Sequence, residues 1–266
     1  MPLVFDYDTV GDLTTGQISY WPYEETSGNR SDLVGSNTLV DNNTVTGGTG
    51  KKGNSAQFTR ANNEWFSVAD NDTLSPSGSF TFDTWVYKDS EPSGGILGFA
   101  GKANAAGTQR EFWFGYRQST DRFEVSFYNT AAPALSVDIE ATTFGATSTA
   151  TWYYVCIKWD QAAHAGYIGV NGGTFDTASN ALVSVGNSTA DFTIGRRFND
   201  ETGVNHDGMQ DETGFWGRLL SDQNVTDRFN SGNGNTMVDA TGHPTMRRWG
   251  GVKHMTPGIP ATGRTW

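Results

Sequence analysis

Ser79-Phe-Thr-Phe-Asp-Thr-Trp-Val-Tyr87 is a nine-residue run in which apolar and polar side chains nearly alternate and aromatic rings recur. A β-strand sends successive side chains to opposite faces, so a period of two reads as a strand. Phe80 and Phe82 compete with Trp85 and Tyr87 for the two faces, and aromatic load on both predicts a central strand covered on each side. Outward from this run the same pattern returns in Gln57-Phe-Thr59, Glu64 to Val68, Arg110 to Arg117, Arg122 to Tyr128, Trp152 to Trp159, Ala165 to Val170 and Asp191 to Gly195. Gly, Asn, Asp or Ser closes each segment. Many short alternating segments between turn residues predict an all-β sandwich and exclude repeated βαβ units. Asn171-Gly-Gly173 supplies the positive φ angles of a tight hairpin after Val170.

One short helix is expected near the end of the strand region. Ser221 is a suitable N-cap, Asp222 favours the positive helix end, Leu220 and Val225 form a hydrophobic staple, and Gly232 ends the segment. Such a helix reads as a surface connector. Beyond about residue 236 the chain becomes Gly/Pro-rich and locally basic, a composition unable to bury enough apolar surface to fold alone. The division expected is an N-terminal arm over 1–15, one domain over 16–235 and an extended tail over 236–266.

Composition agrees with a strand-and-turn chain: Gly contributes 33 of 266 residues and charged side chains only 18%. With 29 acidic against 18 basic residues the net charge is -11, so a phosphate backbone is repelled and nucleic acid is not an expected partner. The single cysteine, Cys156, excludes an intrachain disulfide and a multi-thiolate zinc site, and its apolar strand context predicts an inert core thiol. No run approaches the ~18 apolar residues of a membrane span. The first residues carry acids and not a basic start followed by an apolar stretch, so no secretory signal is visible. The expected location is the cytoplasm until release as part of a larger particle, or the exterior if an export signal has been removed.

Three blocks, in order, resemble the laminin G-like, concanavalin A-like jelly-roll family. They are Ile18 to Asp32; Gly50-Lys-Lys-Gly-Asn-Ser-Ala-Gln-Phe58 continuing through Trp65 to Val68 and Ser79 to Trp85; and Trp152 to Val155, Val170-Asn-Gly172, Phe192 to Gly195 and Asp207 to Leu220. Together they span roughly residues 16 to 233. The resemblance implies a two-sheet antiparallel jelly-roll with loops at its rims, here carrying N- and C-terminal arms. It also implies one of three activities: lectin-like glycan binding, adhesion, or β-glucan hydrolysis.

The residues weigh against hydrolysis. A retaining glycosidase needs two carboxylates ~5 Å apart, and the candidates are Asp138 with Glu140 and Asp121 with Glu124. Ser136 stands where the hydrolase motif would add an upstream acid, and two acids at period two are the ordinary dress of a solvated strand face. His164, His206, His243 and His254 lie in turn-like or tail segments, and no Gly-x-Ser-x-Gly elbow exists. Relatives often hold Ca²⁺ at a sheet rim; the residues matching that role are Asp211, with Glu24 and Asp32 from the early acidic turn, although a cage of six or more oxygens is required. Sugar binding needs exposed rings flanked by hydrogen-bonding groups. Trp113, Tyr116 and Arg117 in one strand, and Trp65 beside Asn62 to Glu64, are the candidates.

The expectation is therefore a non-catalytic recognition or adhesion module whose partner is a glycan or a protein surface. The basic tail, with Arg247, Arg248, Trp249 and Trp266, would bind neighbouring subunits. In that respect the chain resembles surface and decoration proteins of virus and phage particles, for which a structural cement protein is the alternative; a diverged β-glucan hydrolase is the second alternative.

Overall fold

A computed structural model describes residues 13–92, 95–129, 132–182, 184–200 and 204–237. Among them the strands in chain order are β1 (Gln17–Trp21), β2 (Val40–Asn42), β3 (Thr46–Thr49), β4 (Asn54–Phe58), β5 (Trp65–Val68), β6 (Phe80–Lys88), β7 (Ile96–Ala103), β8 (Arg110–Arg117), β9 (Arg122–Asn129), β10 (Ala132–Glu140), β11 (Trp152–Asp160), β12 (Ala165–Val170), β13 (Asp176–Ser179), β14 (Phe192–Ile194) and β15 (Gly208–Trp216). An eight-stranded sheet runs β13-β12-β11-β6-β15-β4-β3, with β1 also on β15, and a seven-stranded sheet runs β10-β9-β8-β7-β14-β5-β2. The strand pairs are antiparallel, and the two sheets stack as a jelly-roll sandwich.

β6 is the central strand that its aromatic alternation predicts, lying between β11 and β15. Phe80 and Phe82 enter the core between the sheets, where Phe112, Phe192 and Phe215 meet them at ring-centroid separations of 5.4 to 6.3 Å. Trp85, of opposite parity, points outward. It is nevertheless buried, because helix α1 (Asp222–Phe229) lies over this face and stacks Phe229 on its ring at 5.8 Å. Ser221 caps α1 through a capping box with Asn224, Asn230 ends it at φ 48°, and Leu220 and Val225 share one buried cluster. Cys156 is buried in that same cluster. The helix is thus a cover for the sheet as well as a connector.

Two features of β15 organise the eight-stranded sheet. Its first residues, Gly208 to Gln210, pair with β4, while Thr213 to Trp216 pair with β1 along the same edge. Between the two halves a bulge at Glu212, whose φ is 53°, reorients the strand. The arm expected over 1–15 is partly docked: the Leu13 carbonyl accepts the Trp216 indole N–H at 2.7 Å, and the Thr15 carbonyl accepts from Arg218 at 2.7 Å.

The outer face of the seven-stranded sheet is covered in its middle by Arg196, Arg197 and Phe198, while Asn205 bridges Gly98 at the edge of β7. A Cβ added to Gly98 would stand 2.1 Å from the Arg197 nitrogen, and one on Gly101 would stand 2.1 Å from the Arg197 carbonyl oxygen. Only glycine lets this backbone lie directly on the sheet. No described helix is long and apolar enough to cross a membrane.

Candidate functional site

On the outer face of the eight-stranded sheet, cross-strand register aligns Trp152, Tyr87, Met209, Gln57 and Thr46 in one row over β11, β6, β15, β4 and β3. The first four are half-buried and Thr46 is exposed. The neighbouring row, with Tyr154 and Trp85, lies beneath α1. Tyr87 and Trp152 hold their rings 5.4 Å apart at an interplanar angle of 55°. Beside them the Gln57 amide donates to Asp89 at 2.8 Å, so a carboxamide and an exposed carboxylate flank the rings. Gly48 keeps the far end of the row low: a Cβ there would stand 2.9 Å from the Met209 sulfur. The assembly is a partly open aromatic surface with hydrogen-bonding groups at its margin.

The aromatic residues nominated from sequence lie elsewhere. Tyr116 faces the inter-sheet core, donates its hydroxyl to Asp121 at 3.0 Å and carries the Lys88 ammonium 3.4 Å from its ring centroid. Trp113 does face outward, but it is only 3% exposed, beneath Arg197 and bonded to the Tyr128 hydroxyl at 2.9 Å. Trp65 is half-buried under the Arg196 guanidinium at 4.1 Å. Arg117 is held by Glu124 at 2.6 Å and Glu140 at 3.7 Å. These four do not make one exposed platform: Tyr116 and Trp113 point to opposite faces, and parity cannot say that Arg196 to Phe198 cover the outward one. The same parity places Tyr87 with Trp85, and Trp152 with Tyr154; what the sequence withholds is where the helix stops covering them. Arg247, Arg248, Trp249 and Trp266 lie outside the described residues.

A laminin G family profile described as the concanavalin A-like lectin/glucanases superfamily matches residues 60–226. The chain belongs to this superfamily. No curated protein matches its sequence. Among solved structures it is similar to the binding domain of Paraclostridial Mosquitocidal Protein 1, at 17% identity and a TM-score of 0.66, over 87% of this chain and 56% of that one. It is similar also to the botulinum neurotoxin serotype G binding domain, at 15% identity and a TM-score of 0.63, over 86% of this chain and 54% of that one. A third is domain 4 of an extracellular arabinanase from Geobacillus stearothermophilus, solved in complex with arabinotriose, at 18% identity and a TM-score of 0.58, over 79% of this chain and 97% of that one. The chain thus spans little more than half the length of the two toxin domains, and at these identities the likeness is one of fold.

The superfamily includes glucanases, so the carboxylates of this member matter. Asp138 accepts from Ser126 at 2.5 Å and from Ser136 at 2.7 Å. Glu140, two residues along the same strand, and its cross-strand partner Glu124 share the Arg117 guanidinium. Burial pushes the Glu124 carboxyl up to about 7 against the opposing effect of Arg117, and its second oxygen has no hydrogen-bond partner. Asp121 is occupied by Tyr116 and Thr147.

Nor do the three acids nominated for Ca²⁺ converge. Asp32 accepts four backbone N–H groups, from Tyr20, Val34, Gly35 and Asn37, each at 3.0 Å, and so pins its own turn. Glu24 and Asp211 meet at the Lys51–Asn54 turn, where Asp211 accepts Lys52 N–H at 2.8 Å and Glu24 accepts Asn54 N–H at 3.0 Å. Among the described residues no three His, Cys, Asp or Glu side chains gather for a metal. Two carboxylates already holding backbone amides do not fit a cage of six to eight oxygens.

Proposed function

We propose that this superfamily member is a non-catalytic recognition domain that binds a saccharide on the open row of its eight-stranded sheet. The carrying observation is the half-buried Tyr87–Trp152 ring pair, with centroids 5.4 Å apart. Ring faces accept the C–H face of a sugar, and polar groups at the margin accept or donate to its hydroxyls. Gln57 and Asp89 stand in that position, and the Tyr87 hydroxyl adds a third partner. The fold likeness to a domain solved with arabinotriose supports the ligand class by analogy. Engagement of the Asp138, Glu140 and Glu124 carboxylates by serine and arginine partners supports the absence of catalysis.

The test is calorimetric titration of the full chain with a panel of neutral oligosaccharides, beginning with arabinotriose, alongside Trp152→Ala and Tyr87→Ala. Each substitution is expected to weaken binding at least about tenfold, the equivalent of ~1.4 kcal/mol, with the melting temperature little changed. Binding indifferent to both substitutions, or hydrolysis of the oligosaccharide that disappears with Asp138→Asn, would overturn the reading.

A further inference from the structure

We infer that an open groove of about 740 Å³ at the opposite rim of the sandwich is a second binding site, for a neutral polyhydroxylated ligand. It opens where β1 and β6 begin and β15 ends, between loop 33–37, loop 71–79 and the irregular segment at Asn187. Its volume lies within the ~300–1,000 Å³ of ordinary small-ligand sites.

The floor is aliphatic. Ile18 is half-buried there, and Gly217 leaves its side chain uncrowded: a Cβ on Gly217 would stand 3.3 Å from the Ile18 Cδ1. The walls are hydroxyls and amides fixed before any ligand arrives. Asn37 is buried, donates to Ser19 at 2.8 Å and accepts the Thr73 hydroxyl at 3.1 Å, tying the two loops together. Across the groove the Asn187 amide donates to Asp72 Oδ1 at 3.3 Å, while exposed Ser36 and Ser77 stand at the mouth.

Chemistry selects the ligand. Among the described residues no lysine or arginine lines the groove, so phosphate, sulfate and carboxylate groups find no counter-charge, and the Asp72 carboxylate repels them. No aromatic ring of the described residues lines it either, which disfavours flat aromatic ligands. A strip of carbon between hydroxyl, amide and carboxylate walls matches a pyranose or furanose lying on edge, with C–H groups on Ile18 and hydroxyls toward Asp72, Asn187 and Thr73. This assignment stands on the groove's own lining and not on Tyr87 and Trp152. Those rings lie at the far end of β6, about 26 Å away at ~3.3 Å per residue. Two sites so placed let one domain engage two points on a polysaccharide, with a gain in avidity that neither site gives alone.

The experiment is a ¹⁵N chemical-shift titration of the full chain with arabinotriose and with cellotriose, glucose 6-phosphate serving as the charged comparator. Three variants accompany it: Gly78→Trp, Asp72→Ala combined with Asn187→Ala, and Trp152→Ala. Gly78 is a safe position to fill, because a Cβ there meets nothing within 4 Å and its φ is not in the left-handed region. The expected result is saturable shifts at Ser36, Thr73 and Asn187 that survive Trp152→Ala. Gly78→Trp is expected to abolish them, and the double alanine variant to weaken them at least tenfold, with both variants keeping the parent melting temperature. Shifts confined to the Trp152 row would overturn the groove while leaving the platform reading intact. Groove shifts unmoved by Gly78→Trp, an equal response to glucose 6-phosphate, or no groove shift at millimolar trisaccharide would each overturn it too.

Discussion

Arg228 of the helix holds both carboxylate oxygens of Asp83 on the central strand, at 2.9 Å through Nε and 2.8 Å through a terminal nitrogen, with side chains 1% and 0% exposed. Around the pair, the Tyr154 hydroxyl donates to Asp83 at 2.7 Å, the Tyr20 hydroxyl donates to Glu212, and Arg228 reaches the Glu212 carbonyl at 2.5 Å. Thr236 donates to Glu212 at 3.0 Å, which fastens the residues after the helix to the same network.

Removing one ion from such a pair leaves the other desolvated and unmatched, a cost of about 3–5 kcal/mol. Arg228→Ala and Asp83→Ala are each expected to lose stability on that scale in urea unfolding. Because they break the same contact, the double variant should lose clearly less than the sum. Additive losses would show that the two residues stabilise the fold independently.

Glu124 gives a pH dependence with a definite sign. Its folded-state value, raised to about 7 from the usual 4.5, means that between these limits the folded protein binds more protons than the unfolded chain. Stability therefore falls as pH rises through that window, by up to about 3 kcal/mol. Glu124→Gln removes the titration, so its stability relative to the parent should rise from pH 4 to pH 8. His206 acts the other way: burial lowers it to about 4, so stability is lost as pH falls from 6.5 toward 4. That contribution is common to both proteins and cancels in the comparison. Urea melts of the pair at both pH values are the measurement, and a constant offset would refute the assignment.

Gly98→Ala tests how Arg196 and Arg197 are laid on the sheet. The new methyl would collide with the backbone of Arg196 and Arg197, which cannot turn aside as a flexible side chain would. A loss of ~1–3 kcal/mol is expected, along with faster tryptic cleavage after Arg196 or Arg197. Gly78→Ala, facing open space, is the control and should change neither.

Local signals carried the helix cap at Ser221 and the strands with regular alternation, since both depend on neighbours in sequence. β7 escaped that reading. In Ile-Leu-Gly-Phe-Ala-Gly-Lys-Ala the alternation is broken by Gly98, Gly101 and Lys102, and what makes them strand residues lies far along the chain. The glycines face Arg197, and the Lys102 ammonium is matched by Asp70 at 2.5 Å and Glu111 at 3.1 Å. The candidate site was half legible for a related reason. Parity sends Tyr87 and Trp152 to the outer face, but which outer row α1 covers is decided by Arg228 and Phe229 finding Asp83 and Trp85 across the fold.

The strand order has a consequence for how the molecule comes into being. β15 fills the place between β6 and the β4/β1 edge, and β14 fills the place between β7 and β5. Both are made after every other described strand. Until about residue 194 has left the ribosome the seven-stranded sheet is two unjoined halves, and until about residue 216 the eight-stranded sheet lacks the strand that joins β6, β4 and β1; sequence-distant pairing of this kind is slow and exposed to aggregation. Closure of both sheets thus waits for one stretch of roughly 25 residues, Phe192 to Trp216, to be delivered. A ribosome stalled before it would hold a chain that has most of its strands and no finished sheet.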